Sequence, residues 1–391
     1  MSPQRRSEWV QRTNDVRVPL VIALVLAALF AGARLVSLEG DPSRFVVAGR
    51  EFVDPAQAPE NLYVWPGTGY DGQFFYRLAL EPTELATTAH GIRLDLGLRR
   101  GRIGYPAVAW TASAGQAAVL PWVLIALNVA AIALLALLGA LIARDAGRHP
   151  LWGLLFAAFP GFLFTLARDL SEIVAACGVL GGLVLFRRGR AGLAGTAFAL
   201  AVLTRESALL VVVALAAALA ASAIRKRGAT LGSGASLAWL VPLAAFVGWQ
   251  TIVRLDVGSV PLASSGGNLA PPFAGLLPEA ARWLSALGEP GILLRLAELG
   301  FLAALVALTA ASLARSRARL HEKVAWGLAL ALALMLSRDV YVDPGDFRVL
   351  GELYVLSTLV LLDDPRRRLT APAVALALLW TAVAAYRTFV V

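Results

Sequence analysis

A carboxylate at the start of a short amphipathic helix is the first feature of this sequence that could do chemistry. Asp71 lies beside two glycines, and the helix predicted to follow it must end before Pro82. The apolar residues Phe74, Phe75 and Leu78 share one face, which predicts a helix lying on a bilayer surface with Asp71 near the headgroups. A carboxylate held there can take a proton from a hydroxyl group, so Asp71 is a candidate general base.

A purely structural role for Asp71 is the alternative hypothesis. Aspartate is a favoured N-cap residue, because its carboxylate accepts hydrogen bonds from the free N–H groups of the first helical turn. Such a cap stabilises the helix and takes part in no chemistry. The two roles are distinguished by the elements that position Asp71 and by the charges around it.

Composition indicates that those elements are membrane helices. Of the 391 residues, 58% are hydrophobic and only 16% are charged, and the mean hydropathy is +0.70. Several runs approach the roughly 20 apolar residues that cross a bilayer, and they do not alternate as the strands of an outer-membrane barrel do. The sequence therefore predicts an all-α, polytopic membrane protein with a single transmembrane domain over residues 1–391.

About eleven spans are predicted, with two long polar loops between them. The predicted spans cover 18–38, 117–143, 151–167, 173–186, two helices of a hairpin within 191–224, 236–253, 292–313, a helix ending at 336, a helix ending before 363, and 373–390. The first polar loop, 39–116, contains Asp71 and enough prolines to exclude one long helix, so we expect short amphipathic helices at the membrane surface. The second polar loop covers 254–290.

Basic residues predict the orientation. Arginine and lysine cluster at the N-terminus and after spans two, four, six, eight and ten, which the positive-inside rule assigns to the cytoplasm. Both polar loops and the C-terminus then lie outside the cytoplasmic (plasma) membrane. The net charge of +9 is explained by these loops, so the expected partner is the lipid bilayer and no nucleic acid is expected. The single cysteine and the three scattered histidines predict no metal site.

Charged residues also gather at the predicted outer face. They are Asp71, Arg77, Arg102, Arg168, Asp169, Glu172, Arg205, Glu206, Arg338, Asp339, Asp346 and Arg348, with Tyr105 beside them. Several lie at the ends of apolar helices, where a charge costs a few kcal/mol at depth. Three arginines are followed directly by an acid: Arg168-Asp169, Arg205-Glu206 and Arg338-Asp339. Each arginine could simply pair with its neighbour while reaching the headgroups.

A pocket for an anionic ligand is the functional interpretation of the same residues, and the repetition of arginines at the outer face favours it. The planar guanidinium binds phosphate in a bidentate manner and stays charged in a partly dry site. Together with a nearby carboxylate, such arginines predict chemistry on a lipid-linked phosphate at the outer leaflet.

The chain resembles the GT-C integral-membrane glycosyltransferases, and within them the mannosyltransferases that add the second mannose of GPI anchors and their bacterial relatives. The resemblance covers roughly residues 70 to 215. It is carried by the segment 70–79, Tyr105-Pro106, Pro160 with Phe164, Ser171-Glu172, and the segment 203–207. The chain has one acid, Asp71, where many members carry an Asp/Glu pair.

This resemblance implies a polyprenyl-phosphate sugar donor, a mannose-like sugar, and a lipid, glycan or protein acceptor. Asp71 is then the base of an inverting displacement outside the cytoplasm, with no cofactor and no metal required. Arg168, Arg205, Arg338 and Arg348 would stabilise the departing phosphate. The implied substrate-binding residues are Tyr70, Gln73, Arg77, Arg102, Tyr105, Arg168, Asp169, Glu172, Arg205, Glu206, Arg338, Asp339 and Arg348.

Two other functions remain open. A transporter or flippase for an anionic lipid-linked substrate would use the same arginines without needing Asp71 as a base. A non-catalytic membrane partner protein would use the outer loops only as an interface. The sequence has no Gly-x-x-x-x-Gly-Lys loop and no Gly-x-Ser-x-Gly elbow, which disfavours ATP-driven and α/β-hydrolase chemistry.

Overall fold

Helices make up most of the structure. The computed structural model describes residues 15–225, 234–289, 291–342, 345–366 and 370–390. Five helices in it are long and apolar enough to cross a membrane, so the chain is a membrane-embedded helical protein: Arg17–Ser37, Leu120–Asp145, Glu206–Ile224, Leu237–Val257 and Ile292–Ser312. Two shorter apolar helices, Ala191–Thr204 and Val374–Tyr386, add to them. Of the predicted basic clusters, Arg5, Arg6, Arg12, Lys226, Arg227, Arg367 and Arg368 lie outside the described residues.

The helices follow one another with few strands between them. In chain order they are α1 (Arg17–Ser37), α2 (Gly72–Leu80), α3 (Gly97–Gly101), α4 (Gly104–Ser113), α5 (Leu120–Asp145), α6 (Leu154–Ala157), α7 (Pro160–Leu166), α8 (Glu172–Arg187), α9 (Ala191–Thr204), α10 (Leu209–Arg225), α11 (Leu237–Val257), α12 (Leu276–Ser285), α13 (Ile292–Ser312), α14 (Leu320–Leu334), α15 (Arg338–Val342), α16 (Gly351–Leu362) and α17 (Thr370–Val390). Short 3₁₀ helices cover Pro42–Val46, Pro150–Gly153, Glu206–Ala208, Pro261–Asn268 and Gly345–Leu350. The strands are β1 (Ala48–Gly49), β2 (Val64–Trp65), β3 (Thr88–Ala89) and β4 (Ile92–Arg93).

One predicted span is divided, and two others correspond to helices that are shorter than the hydrocarbon core of a bilayer. The predicted span 151–167 is divided into a 3₁₀ turn, α6 and α7, because Pro160 lacks the N–H that would continue a helix and instead begins a new one. Helix α8 has 16 residues and α16 has 12, which correspond to about 24 Å and about 18 Å. Both are shorter than the hydrocarbon core, which is about 30 Å thick.

The first polar loop is a folded cap rather than a set of surface helices. Parallel strands β1 and β2 and antiparallel strands β3 and β4 lie on either side of α2 in the sequence. All nine residues of α2 are buried, and the helix packs against α4 and α5. The prediction of an amphipathic helix on the bilayer surface is therefore wrong for α2.

The polar side chains of α2 explain this difference. Gln73 accepts a hydrogen bond from the Gly49 backbone N–H at 2.9 Å and donates to the Thr68 carbonyl at 3.0 Å. Arg77 donates to the Ala86 carbonyl. The polar face of α2 thus meets the backbone of the surrounding loop, which supplies hydrogen-bond partners to the Gln73 amide and to Nη2 of Arg77.

The break predicted between the fifth and sixth spans is present. Arg205 has an extended backbone, with φ −149° and ψ 129°, and it separates α9 from the 3₁₀ turn that precedes α10. The two helices have different main neighbours, however. Helix α9 packs mainly against α8 and α11, whereas α10 packs mainly against α14. They do not form the simple hairpin expected from the sequence.

Four loops that follow helices meet at one end of the bundle. Arg187 at the end of α8 binds Glu322 with two hydrogen bonds of 2.6 and 2.7 Å, and binds Asp363 at 2.5 Å. Arg148, after α5, donates to the Leu362 carbonyl at 2.7 Å. The Arg317 N–H, after α13, donates to the Asp363 carbonyl at 3.0 Å. The loops after α5, α8, α13 and α16 therefore share one end, in agreement with the predicted grouping of basic loops.

Candidate active site

A cavity of about 480 Å³ lies at the other end of α8 and α9, between the folded cap and the helices. Its lining contains both charged and apolar side chains. The charged lining consists of Asp71, Arg99, Arg102, Arg205, Glu206, Asp339 and Arg348. The apolar lining includes Leu98, Leu210, Leu262, Leu269, Leu332, Leu336, Val340 and Val349.

Asp71 occupies the N-cap position of α2 but does not cap the helix. Its side chain accepts no hydrogen bond from the first turn, which removes the hypothesis that Asp71 acts as an N-cap. The carboxylate instead accepts from Arg348 Nη2 at 3.1 Å and from Arg99 Nη2 at 3.4 Å. Gly72 allows this placement, because a Cβ there would lie 2.4 Å from the Arg168 carbonyl oxygen.

The arginines control the ionisation of Asp71. Burial by itself raises the pKa of this carboxyl group, but the positive charges of Arg348, Arg99 and Arg102 outweigh that effect. The pKa of Asp71 is therefore held below its usual value, and the group is an ionised carboxylate at neutral pH. Its side chain is 24% exposed, so it remains accessible from the cavity.

Glu172 holds two of the cavity arginines next to each other. It is the first residue of α8, its side chain is 2% exposed, and it accepts hydrogen bonds from both Arg205 and Arg348. The Thr165 hydroxyl donates to its second oxygen at 3.3 Å. A buried carboxylate with several hydrogen bonds of this kind fixes the guanidinium groups that it contacts.

Glu206 pairs with Arg102 rather than with its neighbour Arg205. Arg102 donates two hydrogen bonds to Glu206, at 3.0 and 2.6 Å. The extended backbone at Arg205 directs successive side chains to opposite sides, so Arg205 reaches Glu172 while Glu206 faces Arg102.

The other two neighbouring pairs are not formed either. Arg338 Nε donates to Glu279 at 3.1 Å, and the Arg338 side chain is 55% exposed. The Arg168 guanidinium lies 3.8 Å from the centre of the Phe164 ring. Asp169 is fully buried, and among the described residues neither of its carboxyl oxygens has a hydrogen-bond partner. The hypothesis that each arginine pairs with the acid next to it in sequence is wrong in all three cases.

Eight of the fourteen predicted site residues lie in the cavity lining or directly beside it. Six line it directly, Glu172 lies behind two of them, and the Tyr70 ring lies 5.1 Å from the Arg348 guanidinium. The six are Asp71, Arg102, Arg205, Glu206, Asp339 and Arg348. The side chain of Asp346 is not part of the structure that is described.

The remaining predicted residues lie outside the cavity lining. Gln73 and Arg77 bind loop backbone, as described above, and Arg168, Asp169 and Arg338 lie elsewhere. Tyr105 is fully buried, and its hydroxyl accepts a hydrogen bond from Asn128 at 3.0 Å. Gln73, Arg77 and Tyr105 support the cap and the helix packing, because their polar groups bind protein groups outside the cavity.

Arg99 is the charged residue of the described cavity lining that the sequence prediction missed. It lines the cavity, binds Asp71, and its guanidinium lies 3.6 Å from the centre of the Phe74 ring. The available signal was its position three residues before Arg102, a spacing that can place two side chains on the same side of a helical turn.

The arrangement suits an anion attached to an apolar group. Four arginines offer N–H groups, an ionised carboxylate lies among them, and leucines also line the cavity. Comparisons of the chain with protein-family models, with curated proteins and with solved structures found no match.

Proposed function

We propose that this protein is a glycosyltransferase of the GT-C type, acting at the outer face of the cytoplasmic membrane. It would move a mannose-like sugar from a polyprenyl-phosphate donor to a hydroxyl group of a lipid, glycan or protein acceptor. The observation that carries this proposal is the position of Asp71, an accessible ionised carboxylate in the same cavity as Arg99, Arg205 and Arg348.

In the proposed reaction, Asp71 accepts the proton of the acceptor hydroxyl as its oxygen attacks the anomeric carbon. The new glycosidic C–O bond forms on one face while the bond from carbon to phosphate oxygen breaks on the other, so the anomeric configuration inverts. The phosphate oxygen leaves with the bonding electron pair. Guanidinium groups from Arg205 and Arg348 stabilise the negative charge that develops on it.

The apolar part of the lining supports a lipid-linked donor. Leu210 of α10 and Leu332 and Leu336 at the end of α14 line the same cavity as the arginines. A phosphate held by the arginines would place an attached prenyl chain against these leucines, where it loses contact with water. A soluble sugar nucleotide has no apolar chain that could be buried against these leucines.

Donor turnover tests the proposal against transport. Protein reconstituted in liposomes is given polyprenyl-phosphate mannose, labelled in the sugar, together with candidate acceptors. We expect labelled sugar to appear on an acceptor and polyprenyl phosphate to be released. Movement of intact donor between leaflets without its cleavage would identify a transporter or flippase instead. If neither transfer nor movement is observed, the alternative of a non-catalytic partner protein remains.

Cysteine labelling tests the proposed side of the membrane. Ala56 is exposed in the folded cap and Ala314 is exposed in the basic loop after α13. In a Cys177→Ala background, Ala56→Cys is expected to react with a membrane-impermeant thiol reagent in intact cells, and Ala314→Cys only after permeabilisation. Because the cavity lies on the cap side, the reverse pattern would place it in the cytoplasm and contradict the proposal.

A further inference from the structure

Every arginine that lines the cavity already has a carboxylate partner. Arg102 uses two N–H groups on Glu206, and Arg205 is held by Glu172. Arg348 is shared between Glu172 and Asp71. An anionic ligand therefore has to compete with a protein carboxylate for the guanidinium groups that it binds.

Asp71 is the carboxylate that competes least well. Its two contacts, at 3.1 and 3.4 Å, are the longest among these pairs, and the shorter Arg102–Glu206 contacts form a bidentate fork. Glu172 is nearly inaccessible, whereas the Asp71 side chain is 24% exposed to the cavity. The N–H groups of Arg99 and Arg348 that face Asp71 are thus the ones that a ligand can take.

We propose that a phosphate group in the cavity takes over the N–H groups of Arg99 and Arg348 and thereby releases Asp71 to act as a base. The inference rests on the proposed function, because the phosphate is that of the lipid-linked donor. Arg99 and Arg348 act as positioning residues for Asp71 before binding and as phosphate ligands afterwards.

This exchange links the basicity of Asp71 to the presence of the donor. A carboxylate held by two guanidinium groups is a weak base, because protonation would cost it both ion pairs. Once phosphate neutralises those guanidinium groups, the same carboxylate has a higher proton affinity. The acceptor hydroxyl would then be deprotonated only when the sugar to be transferred is in place.

Other charged groups around Asp71 do not cancel the rise in its proton affinity on phosphate binding. On the side of α3 the facing groups are Arg99, Arg102 and Asp95, which pairs with Arg99. Among the described residues of the other segments, the groups are Arg348, Glu172, Arg205, Glu206 and Asp339, together with Tyr70, whose ring lies 5.1 Å from the Arg348 guanidinium. Because Glu172 and Glu206 already bind Arg205, Arg348 and Arg102, the two contacts from Arg99 and Arg348 are those that change when phosphate binds.

Infrared spectroscopy of the protein in liposomes tests the exchange without requiring turnover. Protein labelled with ¹³C-aspartate is titrated with acid, and the band of protonated Asp71 is identified by its loss in Asp71→Asn. Dodecyl phosphate is the probe, and dodecanol, which lacks the phosphate, is the control. We expect dodecyl phosphate to raise the midpoint pH of Asp71 protonation by about 1–3 units, and dodecanol to leave it unchanged.

Two arginine variants test whether Arg99 takes part in the exchange. Arg99→Gln is expected to raise the midpoint before the probe is added and to reduce the further shift caused by dodecyl phosphate. Arg50→Gln, at an exposed position in the same loop, is expected to behave as the unaltered protein. A midpoint that does not move with dodecyl phosphate, or moves equally with dodecanol, would overturn the inference.

The pH dependence of turnover provides a second measurement, which does not need Asp71→Asn to fold. The acid limb of the pH profile of kcat/KM for the donor reports the free enzyme, and the acid limb of kcat reports the enzyme with the donor bound. We expect the acid limb of kcat to lie at higher pH than that of kcat/KM. Acid limbs at the same pH would contradict the exchange. If sugar is transferred but the midpoint pH of Asp71 protonation does not shift with dodecyl phosphate, this inference alone is overturned. If the midpoint shifts but no sugar is transferred, only the proposed function is overturned.

Discussion

Asp71→Asn is expected to lower sugar transfer by about 10²–10⁴-fold while the protein still folds and inserts. Asparagine keeps the shape and an acceptor oxygen for Arg348 and Arg99, but it cannot take a proton from the acceptor hydroxyl. Because the Asp71 side chain makes no cap hydrogen bond in α2, the loss cannot be attributed to an unravelled helix. Initial rates with saturating donor, in the liposome assay described above, measure the effect.

Asp256→Asn is the matched control for this variant. Asp256 is exposed near the end of α11 and does not belong to the described cavity lining. The same substitution there is expected to leave transfer unchanged. Transfer by Asp71→Asn within a few-fold of the unaltered protein would remove the base from the proposed mechanism, and full activity in a flipping assay would favour a transporter.

Glu172→Gln is expected to destabilise the protein by about 3–5 kcal/mol. The glutamine retains the size of the side chain, but it removes the ion-pair partner of Arg205 in a site where that arginine is 6% exposed. Arg348 keeps its ion pair with Asp71. Thermal unfolding in detergent, monitored by loss of monomeric protein, measures the change.

A second substitution separates stability from function at this position. Adding Arg205→Met to Glu172→Gln removes the unpaired charge, and we expect it to recover part of the lost stability. Transfer should remain low, because Arg205 no longer contributes to charge stabilisation in the cavity. Glu60→Gln, at an exposed position in the cap, is expected to affect neither property. If Glu172→Gln is as stable as the unaltered protein, Glu172 does not hold the arginines in place.

Local patterns in the sequence were sufficient for the helical and membrane-embedded character of the chain. Long apolar runs correspond to α1, α5, α11 and α13, with no end displaced by more than four residues. The charged break at Arg205 was also visible, because a charged residue between two apolar helices marks a chain interruption. These features depend on neighbouring residues alone, and the backbone responds to them locally.

The partner of each charge was decided by tertiary structure. Arg102 meets Glu206 and Arg348 meets Glu172 across 104 and 176 residues of sequence. Sequence spacing favoured the neighbouring acids instead, and it could not register the extended backbone that directs Arg205 and Glu206 apart. Nothing in the order of residues indicates which distant segment will fill the space opposite a charge.

The environment of α2 was decided in the same way. Its alternation of apolar and polar faces is equally compatible with a bilayer surface and with a fully buried helix, since a polar face needs hydrogen-bond partners but not water in particular. The loop strands and turns supply those partners to Gln73 and Arg77. Loop segments before and after α2 fold over the helix and bury it. In this buried position, Asp71 at the start of α2 contacts Arg99 and Arg348 at the cavity.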